Sequence, residues 1–205
     1  MDEIVEMSKQ QAKSARARAA ICEATIDCLV EHGYSETSLN RVAAIAGFSK
    51  GALQHHFPSK EDLMVATADR LLERPIAKKL KSEEVPKSVE AALLLNWNKF
   101  TNTEAYRGLL EILIATRTDQ KLQDRISDKL KAWNKIIDQQ SVAIFQSRTG
   151  NEEDVAMLLT MSRSLMRGLV IQDTYSTDPE DNLKYVHRWI ELIAPLLELK
   201  ARVSK

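Results

Sequence analysis

The chain has 205 residues with 29 basic and 29 acidic side chains, so no bulk positive charge recruits nucleic acid and only local patterning can do so. Hydrophobic residues make up 44% and charged residues 28%, with six glycines and five prolines, an ordinary globular composition that leaves room for long helices. The length suits one large domain or a small domain fused to a larger one, and no run of about 18 apolar residues marks a membrane span.

The N-terminal stretch MDEIVEMSKQQAK is acidic and then basic, with no apolar segment of the kind a secretory signal needs, so a cytoplasmic protein is expected. Lys13 to His32 reads as the first helix, with Ala17, Ile21, Ala24 and Cys28 on one face and Gly33 as its stop. Its two cysteines, Cys22 and Cys28, fall on different faces about 9 Å apart along the axis, and are expected as reduced, buried thiols. No CxxC or other metal-ligand spacing occurs, so no metal or cofactor is expected.

Ser38 to Ala46 reads as a short second helix and Ser49 to Phe57 as a third. Pro58 breaks the third, and Ser59-x-x-Asp62 starts a fourth as a capping box that Pro75 ends or kinks. After Pro86, Val89, Leu93, Trp97 and Phe100 share a face. Helices follow over about Glu104–Thr116 and Gln120–Ser147, the latter with Leu122, Ile126, Leu130, Trp133 and Ile137 at helical spacing. Gly150-Asn151 is a stop and a cap. A helix over Glu152–Tyr175 carries the stripe Val155, Leu158, Leu159, Ser162, Leu165, Met166, Leu169. Asp178-Pro179-Glu180-Asp181 opens a last helix, Asp178–Lys200, with Leu183, Val186, Ile190, Ile193 and Leu197 in register and Pro195 tightening its end. No strand is expected, and the fold class is all-α with about nine helices.

The segment AGFSKGALQHHF, Ala46 to Phe57, contains G-x-S-x-G, the pattern of a hydrolase nucleophile elbow. That elbow needs a strand before it, and SLNRVAAIA has a period of 3.6 rather than 2. Ser49 has a simpler role as the N-cap of the next helix. A helix-turn-helix explains more residues. Ala43 is small where two helices approach, Gly47 suits the tight turn, Phe48 fills the angle, and Leu53 and Phe57 anchor the following helix. Gly51, Ala52, Gln54 and His55, with Lys50 at the N-terminal end, then face outward toward a major groove. Thr37 to Lys60 contains no acid, and Lys9, Lys13, Arg16 and Arg18 form a basic start. No carboxylate pair or Ser-His-Asp set accompanies them, His32, His55, His56 and His187 are scattered, and enzymatic activity is not expected.

The stretch TSLNRVAAIAGFSKGALQHHFPSKEDL, Thr37 to Leu63, resembles the DNA-binding signature of the tetracycline-repressor (TetR) family, T-x-x-x-I-A-x-x-A-G-V-S-x-G-x-L-Y-x-H-F-x-x-K-x-x-L, through Ala43, Ala46, Gly47, Ser49, Gly51, Leu53, His56, Phe57, Lys60 and Leu63. The resemblance covers about the first third of the chain. It implies that Thr37 or Ser38 caps the second helix and touches phosphate, that Asn40 and Arg41 contact backbone or an outer base, that Ser49, Lys50, Gly51 and Ala52 begin the recognition helix, and that His56 and Lys60 hold phosphate. Where the family often has Tyr, this chain has Gln54, a side chain able to pair bidentately with adenine.

The resemblance further implies a DNA-binding domain over residues 9–60 and a helical ligand-binding and dimerisation domain over 61–205. It implies a homodimer through the last two helices, where Ser164 and Gly168 permit close approach. It also implies a small-molecule pocket, for which Trp97, Phe100, Tyr106, Trp133, Phe145, Met157 and Met161 are the candidate lining, with Arg117, Arg163 and Arg167 available to an anionic ligand. The expected function is a ligand-responsive repressor of a palindromic operator, released by a small molecule. A helix-turn-helix regulator without a small effector, controlled by a partner or acting as an activator, stays open.

Overall fold

The computed structural model describes residues 9–77, 85–175 and 181–200. Among these, nine α-helices follow in order: α1 Lys9–Glu36, α2 Leu39–Ala46, α3 Lys50–His56, α4 Lys60–Ala77, α5 Val89–Asn96, α6 Glu104–Ala115, α7 Gln120–Ile144, α8 Glu152–Gln172 and α9 Asp181–Ile193. The class is all-α, as the periodicity indicates. Packing divides the chain into two compact units. One runs to Arg74 and takes in Gly108–Ser127; the other holds Pro75–Arg107 and the residues from Asp128 onward. This division differs from a cut after residue 60. Leu63 of α4 is buried in the same apolar cluster as α1, α2 and α3. Gly108 lets α6 lie against α1, since a Cβ there would meet Ile26 Cγ2 at 3.3 Å.

In the first unit, α1 buries Ile21, Cys22, Ala24, Ile26, Cys28 and Leu29, and both cysteines are free and buried. Gly33, at φ 73 and ψ 175, breaks the helical path, and a short turn continues to Glu36. Ser59 and Asp62 cap α4 reciprocally, Ser59 N–H to Asp62 Oδ2 at 3.2 Å and Asp62 N–H to Ser59 Oγ at 3.1 Å. The helix passes Pro75 and ends at Ala77 rather than stopping at the proline.

In the second unit, α8 buries Val155, Leu159, Ser162, Met166 and Leu169, and α9 buries Val186, Ile190 and Ile193. Asn182 joins them, its Nδ2 donating to Leu169 O at 3.1 Å and Asp173 Oδ1 at 3.2 Å. The Asp178-Pro179 helix start lies outside the described residues. Two expectations are corrected here. The helix expected to reach Ser147 stops at Ile144, and the one expected to reach Lys200 stops at Ile193. Strands β1 Phe145–Ser147 and β2 Leu197–Leu199 pair antiparallel, with Phe145 opposite Leu199 and Ser147 opposite Leu197. Pro195 is the cause at the second end. It tightens Ala194–Leu196 into a 3-10 turn, after which the chain is extended and finds its hydrogen bonds across the ladder.

Candidate nucleic-acid interface and ligand cavity

The turn between α2 and α3 is set by two adjacent caps. Gly47 lies at φ 70, its N–H bonds Ala44 O at 3.3 Å, and the Phe48 N–H bonds Ala43 O at 2.9 Å. This is the paired hydrogen bonding of a Schellman stop, and the left-handed conformation explains the glycine. Two residues later Ser49 starts α3, its Oγ accepting from the Ala52 N–H at 3.2 Å. Ser49 therefore serves as a helix cap that follows a helix, not as a nucleophile on a strand-to-helix elbow.

The short helix α3 is held from behind. Leu53 is fully buried and Phe57 nearly so, in the cluster with Ile21, Val42, Ala43 and Leu63, and Phe48 packs against it. Lys50, Gly51, Ala52, Gln54 and His55 are exposed. No atom lies within 4 Å of a Cβ built on Gly51, so nothing hinders approach of another backbone there. His56 is half-buried, its ring in edge contact with that of His55 at 5.5 Å between centroids. Burial first, then the neighbouring His55 and Arg18, hold the His56 imidazole below its ordinary range.

Other predicted contacts are placed differently. Ser38 is the N-cap of α2, accepting from the Arg41 N–H at 3.3 Å, and it is exposed. Thr37 is fully buried and donates to Gly33 O at 2.7 Å, closing the end of α1 instead of facing outward. Asn40 is exposed, and Arg41 is half-exposed beside Glu36 at 3.5 Å. Lys60 is committed within the unit. Its Nζ donates to Tyr34 O at 2.7 Å and lies 4.1 Å from the Tyr34 ring centroid. Arg18 is likewise engaged, its guanidinium 4.1 Å from the Phe57 centroid and donating to His56 O at 2.5 Å. It ties α1 to the last carbonyl of α3. Lys9, Lys13 and Arg16 are exposed.

Sequence reasoning missed the polar cluster centred on Tyr34. Its hydroxyl donates to Asp119 Oδ2 at 2.6 Å and its N–H to Glu111 Oε2 at 2.9 Å, while Arg125 pairs with Asp62. These partners lie 63 to 85 residues apart in sequence, beyond any local signal. Removing the hydroxyl in Tyr34→Phe should cost about 1.5 kcal/mol at pH 7, as for a hydrogen bond to a charged group. The Tyr34 bond first holds the Asp119 carboxyl below its usual range. The contribution is therefore present above the ordinary aspartate value of about 3.9 and fades as pH falls through the lowered one. Burial and Asp119 raise the Tyr34 hydroxyl, so on the alkaline side the contribution holds up to the ordinary tyrosine value of about 10 and fades as pH rises through the raised one. Urea unfolding of both proteins from roughly pH 3 to pH 8 should show the gap closing in acid. A gap that stays constant into acid contradicts the assignment.

The second unit encloses a cavity of about 710 Å³. Helix α5 supplies Ala92, Leu93, Leu95 and Asn96, α7 supplies Ile137, Gln140, Ser141 and Ile144, and α8 supplies Leu159, Ser162, Arg163 and Met166. Phe145 and Leu199 of the ladder complete one side. Phe100 enters from a π-helical turn, Trp97–Thr101, that extends α5; such turns recur at functional sites. Of the seven expected lining residues, Phe100 and Phe145 line this cavity. Trp97 is buried in the core, Tyr106 accepts from Arg167 Nε at 3.2 Å, and Trp133 is half-buried on α7 away from the cavity lining. Met157 and Met161 are about half exposed on the outer face of α8. Of the arginines, Arg163 lines the cavity; Arg117 is exposed and Arg167 is half-buried.

Residues 21–67 match the family model described as bacterial regulatory proteins, tetR family. Over 174 residues the chain is 28% identical to an HTH-type transcriptional regulator of Mycobacterium bovis, covering 83% of this chain and 89% of that protein. The HTH-type transcriptional repressor AcnR of Corynebacterium glutamicum is 39% identical over 56 residues, 27% of this chain and 30% of the repressor. A crystal structure of a TetR-family transcriptional regulator from Cytophaga hutchinsonii has the same fold, with a TM-score of 0.67 at 20% identity over 98% of this chain and 100% of that one.

Proposed function

The chain belongs to the TetR family of bacterial helix-turn-helix transcriptional regulators, and from that premise we propose that it is a ligand-responsive repressor that binds a palindromic operator as a homodimer. The observation that carries this reading is α3 itself, buried through Leu53 and presenting Lys50, Gly51, Ala52, Gln54 and His55 to solvent. A seven-residue helix makes too little contact alone, and two copies reading half-sites about 34–36 Å apart supply both affinity and palindromy. The repressor AcnR, similar over the reading head, supports the sign of regulation.

Dimerisation is assigned to α8 and α9. Helix α8 has two stripes. One, with Val155, Leu159, Ser162, Met166 and Leu169, is buried in the core, and a second, with Met157, Met161, Ser164 and Gly168, is exposed. On and just beyond α9, Tyr185, Leu192 and Leu196 are exposed as well. A two-fold axis across these faces covers large apolar side chains that water otherwise meets, and Gly168, with nothing within 4 Å of a Cβ built on it, permits close helix approach. Because a two-fold interface repeats each residue, Met161→Glu should weaken the dimer on the order of tenfold or more. Sedimentation equilibrium measures it, and an unchanged dimer constant removes the interface from α8.

The cavity favours a small effector over the second reading, a regulator controlled by a protein partner, for which a fully packed helical unit is expected. Release requires only differential affinity of the effector for two states. Titrating the protein onto selected operator DNA, followed by anisotropy, should saturate at two protomers per site. Saturation at one protomer contradicts the reading.

A further inference from the structure

The cavity's polar groups are unevenly distributed, and that asymmetry points to a ligand class. No aspartate or glutamate lines it. Two cations do, Arg163 and Lys200, with the neutral amides of Asn96 and Gln140, against walls that include Leu93, Phe100, Ile137 and Phe145. The Arg163 side chain is 24% exposed, so its charge is screened less than that of a surface arginine. Its described hydrogen bonds both leave from Nη2, to Asp138 Oδ1 at 2.6 Å and Thr160 Oγ1 at 2.9 Å. Asp138 does not line the cavity and is 48% exposed, so it holds the guanidinium from the solvent side. Among the described residues, Nε and Nη1 have no partner. Ser162, the neighbouring polar residue, is already spent, accepting from Trp189 Nε1 at 2.9 Å and donating to Leu158 O at 2.7 Å.

We propose that the cavity takes an amphipathic carboxylate, its carboxylate paired with Arg163 and its apolar body against Phe100, Ile137 and Phe145. Both bidentate edges of the guanidinium include Nη2, which is already spent, so the remaining Nε–H and Nη1–H donors each offer a single charge-assisted hydrogen bond to a carboxylate oxygen. A cationic or strongly dipolar ligand has no acid here to meet it. The apolar walls require a body of hydrocarbon or aromatic character. This rests on the reading of the cavity as the effector site.

The test is calorimetric titration of the full-length protein with octanoate and 1-naphthoate, each beside its own primary amide, and with octylammonium. At least one carboxylate should bind about tenfold or more tightly than its amide, as for a charge-assisted pair. Arg163→Gln should bring that ratio close to one. Asp138→Asn frees the guanidinium from its competitor and should tighten carboxylate binding, a gain that damage to the fold does not produce. Equal or tighter binding of the amide or the ammonium, a ratio that survives in Arg163→Gln, or no binding of any probe overturns the assignment. The effector reading is tested apart from it, by operator affinity. Carboxylates that bind through Arg163 and leave operator affinity unchanged support the ligand class and sink the effector role. Operator release by the amide or ammonium alone does the reverse.

Discussion

Phe57→Ala is expected to destabilise the first unit by about 3–5 kcal/mol, the range for truncating a buried phenylalanine. Phe57 is 1% exposed and closes α3 with its N–H on Leu53 O at 2.9 Å. Its ring carries the Arg18 guanidinium, which in turn bonds the carbonyl of His56. Truncation removes the apolar anchor and the platform for that clamp together. Helix α3 has seven residues and no helical stability of its own, so its orientation is inherited from Leu53 and Phe57. Specific DNA affinity should fall with stability, while Phe57→Leu, which keeps much of the volume, should lose less on both counts. Denaturant unfolding with operator anisotropy measures both. An alanine variant with a wild-type midpoint contradicts the packing account.

Gln54→Ala is expected to leave stability unchanged or slightly raised and to alter sequence preference. The side chain is exposed, and alanine is the better helix former, so nothing in the folded chain depends on the amide. Flanking positions reach less far. Gly51 and Ala52 allow close approach but offer no side-chain donor, and Lys50 carries a charge suited to phosphate or guanine. Gln54 is thus the residue on the open face whose amide can pair with both adenine N6 and N7. Its loss should cost about 1–3 kcal/mol at one base pair in each half-site and relax preference there. Selecting binding sites with the variant and the parent side by side shows it. A uniformly weaker variant with an unchanged preference places Gln54 on the backbone.

The reading head was legible because its signals are local. Gly47, Ser49 and Ser59 act within three or four residues of themselves, and the caps they predict are present in the structure. What surrounds that head was not legible. Thr37 looks like a surface cap in sequence but is drawn inward by Gly33 O, and Lys60 looks like a free cation but is drawn to Tyr34 O. Both are settled by the break at Gly33, which turns the end of α1 back across the unit. The Tyr34, Asp119 and Glu111 bonds join residues 77 to 85 positions apart.

In the second unit, apolar period identified the helices but not their roles. Met157 and Met161 recur at helical spacing as the core stripe does, displaced around α8, and only burial tells the outer stripe from the inner one. The ladder is three residues per strand, too short for alternation to register, and its paired segments lie 52 residues apart at Gln146 and Glu198. Phe100 and Phe145 line the cavity, but Arg163 is placed there by its orientation against Asp138, which a one-dimensional pattern does not hold.

The central claim is that two copies of α3 read one operator. Selection of genomic fragments by the purified protein at two salt concentrations tests it most directly. Enrichment at both concentrations of a palindrome whose half-sites lie about one helical turn apart, or a multiple of it, is the predicted result. Binding without sequence preference, lost as salt rises, contradicts it, because it leaves α3 as one more positively charged surface.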